Sequence, residues 1–357
     1  MQNTELLLKK LTLEEKCALL SGAETFKTRG MPEHGIPQIW LSDGPHGLRK
    51  QAGESDHLGL NPSVPATCFP TASAVANSWD AALGEEIGAA LGEEAAAQEV
   101  SVVLGPGLNM KRNPLCGRSF EYFSEDPYLA GKLAAGYIRG IQSKGVAACP
   151  KHFAVNSQET RRMASDSIVD ERTLREIYLT GFEIAVKEGH PRSIMSSYNL
   201  VNGMYANENK HLLMEILRGE WGFDGAVITD YADHHSFMNG DQALRAGGSL
   251  WMSGMMGGQL TCETGSNSYL QALRRAAKQT LYMYLHVRVT NRDYAESIGD
   301  TTALRHDFKP AVLGWRHLVA LIDLVAVALF ALAICGIVRD VKLYKAAKAA
   351  RAENKNT

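Results

Sequence analysis

The sequence lacks several features that mark common functional classes. It has no strong charge bias, because 37 Lys and Arg residues against 39 Asp and Glu residues give a formal net charge of −2, and this disfavours nucleic-acid binding. Its six cysteines are scattered, without a CxxC pair or a histidine spacing suited to zinc, so free thiols are the expected state. The Walker lysine motif, the GxSxG elbow and the HExxH helix are also missing, which argues against nucleotide, α/β-hydrolase and zinc-peptidase chemistry.

The N-terminal residues do not show the basic-then-apolar order of a signal peptide. Residues 11–20 instead predict an amphipathic helix, in which Thr12 and Glu15 are placed as a capping box. The adjacent His234 and His235 are candidate metal ligands, but no third ligand accompanies them. We therefore expect no metal and no cofactor.

The 357 residues, 45% hydrophobic and 21% charged, are enough for one barrel-sized domain with additions or for two ordinary domains. Strands are expected at 37–43, 102–104, 146–149, 193–197 and 226–228, with weaker candidates at 68–72 and 248–252. Between and after them, helices are expected at 81–99, 129–143, 171–187, 207–218 and 268–286. This alternation predicts an α/β fold with a parallel sheet. The fold class is therefore a (β/α)8-like TIM barrel over residues 1–290, with one strand irregular or missing.

The stretch GFDGAVITDYAD, residues 222–233, contains the most informative strand. Its continuous apolar run predicts a strand buried on both faces, and Asp230 follows where the run stops. Catalytic groups of parallel barrels stand at the C-terminal ends of such strands. Asp230 is therefore a candidate catalytic residue; the alternative is that it caps the next helix.

Other charged residues also follow strand candidates, and a parallel barrel would bring them together. They are Asp43, Arg112, Arg118, Lys151, His152 and Arg161. A ring of hydrogen-bonding groups suits a sugar, since each hydroxyl both donates and accepts. Structural alternatives exist for single members: Arg118 could pair with Glu121, and His152 could be a satisfied core residue.

The C-terminal part of the sequence differs in character. Residues 318–338 form a 21-residue apolar run with one charge, Asp323, which is long enough to cross a bilayer as a helix; the alternative is a buried soluble helix. Six Lys and Arg residues follow in 339–357, against three in 301–317, so the positive-inside rule places the C-terminus in the cytoplasm and the barrel outside. The expected order is barrel domain 1–290, linker 291–316, single transmembrane helix 317–339 and basic cytoplasmic tail 340–357.

Five stretches together resemble the N-terminal barrel domain of glycoside hydrolase family 3, in its β-glucosidase branch. They are LSDGPHGLR (41–49), NMKRNPLCGRSFEYFSEDP (109–127), KHFAVNSQETRRM (151–163), IMSSYN (194–199) and GFDGAVITDYAD (222–233). The branch that acts on N-acetylglucosaminides carries a Gly-rich loop with a His-Asp pair after its KH motif. AVNSQETRRM stands there in this sequence, which disfavours that specificity.

The resemblance implies that Asp230 is the nucleophile of a retaining glycosidase. It implies that the sugar in the −1 subsite is held by Asp43, Arg112, Lys151, His152 and Arg161, with Met195 packing beside it and Tyr198 close to the nucleophile. Tyr231 belongs to the subsite wall, at a position where the family usually has Trp. Lys151, Arg161 and Arg112 are expected to hold the pKa of Asp230 low.

Two departures from the family pattern bear on function. Gly248-Ser249 replaces a carboxylate that the family usually has, and the second α/β domain that usually supplies the acid/base residue does not follow residue 290. The resemblance implies retaining hydrolysis of terminal β-linked glucosides or related β-glycosides, with the acid/base residue from a missing domain or a second chain. A truncated or split permuted enzyme is the favoured interpretation. The alternative is a catalytically incomplete, membrane-tethered sugar-binding or scaffold protein.

Overall fold

A computed structural model describes residues 2–53, 55–56, 60–231, 238–252, 260–262, 265–287 and 312–353. The chain divides into two compact units, Met1–Phe308 and Lys309–Thr357. The candidate metal ligands His234 and His235 and most of the expected linker lie outside the described residues.

The first unit is built on short strands. In chain order they are β1 (Gly22–Glu24), β2 (Lys27–Thr28), β3 (Leu41–Ser42), β4 (Val102–Val103), β5 (Ala147–Ala148), β6 (Asp166–Ser167), β7 (Ser193–Met195), β8 (Leu200–Val201), β9 (Met204–Tyr205) and β10 (Ala226–Ile228). β3, β4 and β5 pair in parallel, and so do β7 and β10. β6, β8 and β9 form a separate small sheet.

Backbone hydrogen bonds join the two parallel groups into a closed ring. The N–H of Met195 donates to the carbonyl of Pro150 at 3.0 Å, which connects β5 to β7. On the other side, Ile228 pairs with Leu250, and Trp251 pairs with Ser21 at the start of β1. The β1–β2 hairpin then pairs back to Trp40, just before β3. The ring is TIM-barrel-like.

One strand of the ring departs from the parallel arrangement of the others. β2 runs antiparallel to both of its neighbours, and neither β1 nor β2 was expected from the sequence, because two- and three-residue strands show no periodicity. The candidate at 68–72 is wrong: no strand is assigned there, and a helix begins at Ala72. Pro70 has no N–H to donate to a sheet, which explains this outcome.

Helices surround the ring. They are Gln2–Lys10, Leu13–Leu19, Ala72–Ala76, Ala81–Ala97, Pro127–Ser143, Glu171–Thr173, Thr180–Ile184, Gly240–Ala246 and Asn267–His286, with π-helical segments Leu174–Leu179, Ala185–Gly189 and His211–Glu220 and 3-10 turns Pro32–His34 and Ala206–Glu208. The capping box of Thr12 and Glu15 is confirmed. Helices Ala81–Ala97 and Pro127–Ser143 pack backbone to backbone, since a Cβ on Gly88 would lie 2.4 Å from the carbonyl oxygen of Tyr137.

Side chains along the strands alternate between two buried layers. Val103, Ala148, Ile194 and Val227 pack with the helix layer, whereas Val102, Ala147, Met195, Ala226 and Ile228 pack on the opposite side of the sheet. This period of two is the geometry of a strand with both faces buried. The second set fills the ring, so the polar groups that follow the strands stand at its C-terminal rim.

Two of the cysteines do not follow the sequence expectation. Cys17 and Cys262 form a disulfide with their Cα atoms 6.3 Å apart, at a sequence separation of 245, so the expectation of free thiols is wrong for this pair. No local spacing could have revealed it, because only the fold brings the two residues together. Cys68, Cys116, Cys149 and Cys335 are free.

The second unit contains the helix Val312–Glu353. Within it, the 22 residues Ile322–Leu343 are apolar enough and long enough to span a membrane, and they are not buried in the structure. Only the length and composition of this segment support a membrane span. The segment 317–339 expected from the sequence lies in this helix.

Candidate active site

A cavity of about 300 Å³ opens at the C-terminal rim of the barrel. It is lined by Phe26, Asp43, Arg49, Leu104, Arg118, Lys151, His152, Arg162, Met195, Tyr198, Asp230, Tyr231 and Met252. The parallel strands of the ring end near these residues, so the polar lining follows from the parallel arrangement.

Alternating charges form one wall of the cavity. Lys151 follows β5, and its Nζ lies 2.8 Å from Asp43 Oδ1, after β3, and 3.9 Å from Glu121 Oε2. Glu121 in turn accepts a hydrogen bond from Arg118 Nε. Lys151 and Glu121 each expose only 4% of their side chains. Their charges are therefore buried but mutually compensated, which is the condition for a stable ionised group in an interior.

His152 stands next to this wall with its backbone fixed. The side chain of Asn109 accepts from the His152 N–H at 2.7 Å and donates to the His152 carbonyl at 2.8 Å. The ring Nδ1 lies 3.0 Å from the Tyr122 hydroxyl, and Nε2 lies 3.7 Å from Asp230 Oδ2. Burial lowers the pKa of His152 well below its ordinary value, assisted by Arg118 and Lys151. The imidazole is therefore neutral at pH 7.

Asp230 lies at the end of β10, as its place in the sequence suggested. Its Oδ1 accepts the Tyr231 backbone N–H at 2.8 Å, while Oδ2 faces His152. Tyr198 approaches the same point, since its hydroxyl donates to the Tyr231 carbonyl at 2.6 Å. One carboxylate oxygen is thus held by the backbone, and the other is buried opposite His152, while Asp230 as a residue lines the cavity.

The pKa of Asp230 differs from expectation. Burial raises it above the ordinary value of 3.8, and the opposing influence of Arg118, the Tyr231 N–H, Arg162 and Lys151 does not offset this effect. The expectation of a lowered pKa is therefore wrong.

Asp43 shows the opposite behaviour. Burial raises its pKa, but Lys151, Arg118 and Arg49 outweigh burial, and the pKa of Asp43 is lowered. The pKa of Lys151 is raised, because the attraction of Asp43 and Glu121 exceeds the effect of burial. Two carboxyl groups of one cavity thus have pKa values displaced in opposite directions.

The structure brings most of the expected site residues to this cavity. They are Asp43, Lys151, His152, Met195, Tyr198, Asp230 and Tyr231. Arg112 is not among the lining residues; it is exposed, its NH1 donates to the Tyr178 hydroxyl at 3.3 Å, and it lines neighbouring surface clefts instead. Arg161 is also exposed and absent from the lining.

Two other arginines occupy the places expected for those two. Arg162, one residue beyond Arg161, lies over the Tyr198 ring at 4.7 Å. Arg118 both pairs with Glu121 and lines the cavity, so both interpretations of it from the sequence hold. Adjacent arginines in a loop are indistinguishable by pattern, and the backbone of Arg161, at φ 50°, decides which side chain points inward.

Arg49, Phe26, Leu104 and Met252 complete the lining and were missed in the sequence. Phe26 belongs to the unexpected hairpin. Among the described residues, Glu15, Glu33 and His34 are grouped closely enough to hold a metal ion, but they are not part of the cavity lining, and Glu15 already accepts the Thr12 N–H at 2.6 Å.

The fold and the cavity agree with the comparison to known proteins. Residues 22–280 match the glycosyl hydrolase family 3 N terminal domain. Because this match spans well over half of the chain, the chain belongs to that family.

Relatives with stated activities match almost two thirds of the chain. A thermostable β-glucosidase B of Acetivibrio thermocellus is 57% identical over 225 residues, which is 63% of this chain and 30% of that protein. An exo-α-(1→6)-L-arabinopyranosidase of Bifidobacterium longum is 52% identical over 231 residues, with the same two coverages of 63% and 30%. The chain thus spans about a third of the length of these relatives.

Solved structures show the same likeness. The structure of β-glucosidase 3B from Thermotoga neapolitana in complex with glucose matches with a TM-score of 0.72 and 38% identity, covering 84% of this chain and 46% of that one. A β-glucosidase from Kluyveromyces marxianus in complex with glucose matches with a TM-score of 0.74 and 37% identity, covering 83% and 35%.

Proposed function

We propose that this chain supplies the sugar-binding cavity and the nucleophile of a retaining β-glycosidase that acts on terminal β-linked glucosides or related β-glycosides. The observation that carries the proposal is the position of Asp230, which lines the cavity at the end of β10 with one oxygen fixed by the Tyr231 N–H and the other facing His152. The β-glucosidase relatives support the substrate class. Because another relative is named an arabinopyranosidase, related pyranosides are also candidate substrates.

The chemistry would proceed in two displacements. Asp230 Oδ2 attacks the anomeric carbon as the glycosidic C–O bond breaks, and the leaving oxygen takes a proton from a general acid. Water then attacks the glycosyl-Asp230 ester and regenerates the carboxylate. Asp43, Lys151, His152 and Arg162 offer acceptors and donors for the sugar hydroxyls, and a cavity of about 300 Å³ lies at the small end of ligand sites, as a single sugar ring requires.

The general acid is not evident among the described residues that line the cavity. The general acid of a retaining glycosidase must be protonated at working pH and lie about 5–5.5 Å from the nucleophile. Asp43, the other carboxyl of the described lining, has a lowered pKa beside Lys151, so it is a poor proton donor. We therefore propose that the acid/base residue comes from a further domain or a second chain.

Trapping tests this function directly. A 2-fluoro-glucoside should label the chain covalently at Asp230, and Asp230→Ala should abolish the label. Labelling at another carboxylate would reject Asp230 as the nucleophile.

A second function is favoured by the lack of a suitable acid in the described lining: a membrane-tethered sugar-binding or scaffold protein without turnover. An activated aryl glucoside needs little acid assistance, whereas an alkyl glucoside needs it. Slow turnover of the aryl glucoside alone would indicate an incomplete enzyme. Binding without turnover of either substrate would favour the scaffold.

We also propose that residues 317–339, within the helix Val312–Glu353, hold the chain in a membrane, with the barrel outside and the C-terminal tail in the cytoplasm. The length and composition of the helix support the membrane span. The excess of Lys and Arg after residue 338 supports the orientation.

A further inference from the structure

His152 lies between a buried tyrosine and the cavity. Its side chain is 1% exposed, with Nδ1 at 3.0 Å from the Tyr122 hydroxyl and Nε2 at 3.7 Å from Asp230 Oδ2. A neutral imidazole carries its hydrogen on one nitrogen only, and the partner of the other nitrogen decides which. The tautomer therefore determines whether His152 donates to the cavity or accepts from it.

The orientation of the Asn156 side-chain amide bears on this tautomer. Its Nδ2 lies 3.1 Å from Glu159 Oε1. Glu159 stands between two guanidinium groups, with Arg162 at 3.3 Å and Arg118 at 3.9 Å, so its carboxylate only accepts hydrogen bonds. The amide nitrogen of Asn156, and not its oxygen, must face Glu159.

The same amide nitrogen determines the direction of the Tyr122 hydroxyl. Asn156 Nδ2 donates its second hydrogen to the Tyr122 oxygen at 3.4 Å. Tyr122 is fully buried, and within the described parts of the chain His152 Nδ1 is the acceptor found for the hydroxyl hydrogen. Nδ1 therefore accepts, and the imidazole hydrogen resides on Nε2.

The protonation states of Tyr122 and His152 support this assignment of the two hydrogens. Burial raises the pKa of Tyr122 well above its usual value, so the hydroxyl keeps its hydrogen. Burial, with Arg118 and Lys151, lowers the pKa of His152, so the ring is neutral and a single tautomer is possible at one time.

We propose that Tyr122 is a positioning residue which, with Asn156, holds His152 as the Nε2–H tautomer, so that the Nε2–H faces Asp230 and the cavity and can donate a hydrogen bond to a sugar hydroxyl there. The sugar part of this inference rests on the proposed function. Tyr122 itself does not line the cavity; it acts through His152.

Nuclear magnetic resonance of the full chain, in detergent and labelled with ¹⁵N-histidine, tests the proposal. Two-bond ¹H–¹⁵N correlations differ between the two neutral tautomers, and His152→Gln identifies the His152 signals by their loss. At pH 7 the unaltered protein should show the Nε2–H pattern for His152. An Nδ1–H pattern or a charged imidazolium would overturn the proposal without any variant of Tyr122.

Tyr122→Phe should replace that pattern with an average of both tautomers, because Nδ1 loses its donor. Tyr137→Phe is the matched control, since it removes a buried hydroxyl that donates to the Pro45 carbonyl at 3.1 Å and should leave the His152 pattern unchanged. An unchanged pattern in Tyr122→Phe would also overturn the proposal.

Glucose titration separates this inference from the proposed function. Tyr122→Phe should weaken glucose binding up to about tenfold, the effect of one hydrogen bond, and Tyr137→Phe should not. If the unaltered chain shows the Nε2–H pattern but binds no glucose, the sugar site fails while the tautomer assignment stands. If glucose binds while His152 carries its hydrogen on Nδ1, the proposed function stands and the role of Tyr122 is rejected.

Discussion

Lys151 Nζ and Asp43 Oδ1 lie 2.8 Å apart although 108 positions separate the two residues in the chain. The contact joins the end of β5 to the end of β3, across the intervening β4. It places a buried cation against a carboxylate whose pKa it lowers, while Asp230 in the same cavity has its pKa raised by burial. The two acids of the site should therefore respond differently to the same substitution.

Neutralising each acid should change stability in opposite directions. Asp43→Asn leaves Lys151 buried without its closest partner and should cost about 2 kcal/mol, less than for a fully buried pair because part of Asp43 is exposed. Asp230→Asn removes a carboxylate that burial disfavours and should raise stability by up to about 1 kcal/mol. Denaturant unfolding of the two variants beside the unaltered chain measures both. Destabilisation by Asp230→Asn would contradict the raised pKa.

Asp43 and Asp230 should also make stability depend on pH in opposite directions. A lowered folded pKa makes the contribution of Asp43 present above its ordinary value of 3.8 and lost as pH falls through the folded pKa. A raised folded pKa makes the contribution of Asp230 present below 3.8 and lost as pH rises through the folded pKa. From pH 3 to 6, the stability gained by Asp230→Asn over the unaltered chain should therefore increase with pH. A decrease would reverse the assigned sign.

Activity on an aryl glucoside, where present, should also reflect the raised pKa. Asp230 must be ionised to attack, so kcat/KM should fall as pH drops through the pKa of Asp230, at a pH above the ordinary carboxyl value of 3.8. A pH–rate profile whose acid limb lies below 3.8 would show that attraction by Arg118, Arg162 and Lys151 outweighs burial in setting the pKa of Asp230.

The neighbouring arginines allow a matched test of the cavity. Arg162→Lys should weaken glucose binding about tenfold, because lysine cannot keep both the contact over Tyr198 and the pairing with Glu159. Arg161→Lys should leave binding unchanged, since Arg161 is exposed and outside the lining. Calorimetric titration compares them, and a larger effect at Arg161 would reject the placement. Arg118→Lys and Arg112→Lys form a second such pair.

The disulfide between Cys17 and Cys262 should contribute to stability. It closes a long loop, with a sequence separation of 245, and such crosslinks typically contribute about 2–4 kcal/mol through the unfolded chain. Cys17→Ser and Cys262→Ser should lower the melting temperature by similar amounts, and reductant should lower it only in chains that keep both Cys17 and Cys262. Cys68→Ser, at an exposed free thiol, serves as the control. Equal melting temperatures would show that the pair is reduced in solution.

Protease added to intact cells should remove the barrel and leave a tag placed after Thr357 protected. This follows from the orientation proposed for the membrane span 317–339. Survival of the barrel in intact cells, with cleavage only after detergent lysis, would instead place the barrel in the cytoplasm.

The sequence by itself determined the class of fold and the position of the main carboxylate. The alternation of apolar strands with helices is a local pattern, and β4, β5, β7 and β10 lie within strands expected from it. Residues directly after those strands, such as Lys151 and Asp230, could be assigned to the rim because parallel strands place all their C-terminal ends on one side. The motifs also predicted the family, which the match over residues 22–280 confirms.

Only the tertiary structure decided which side chains enter the cavity and how they ionise. Arg162 rather than Arg161 points inward because of backbone angles in a loop, and a loop has no period from which direction can be inferred. The hairpin that contributes Phe26 and the Cys17–Cys262 pair depend on contacts between distant segments. The raised pKa of Asp230 is likewise a balance of burial against charges on other strands. Such a balance depends on distances through space, and the order of residues along the chain does not contain them.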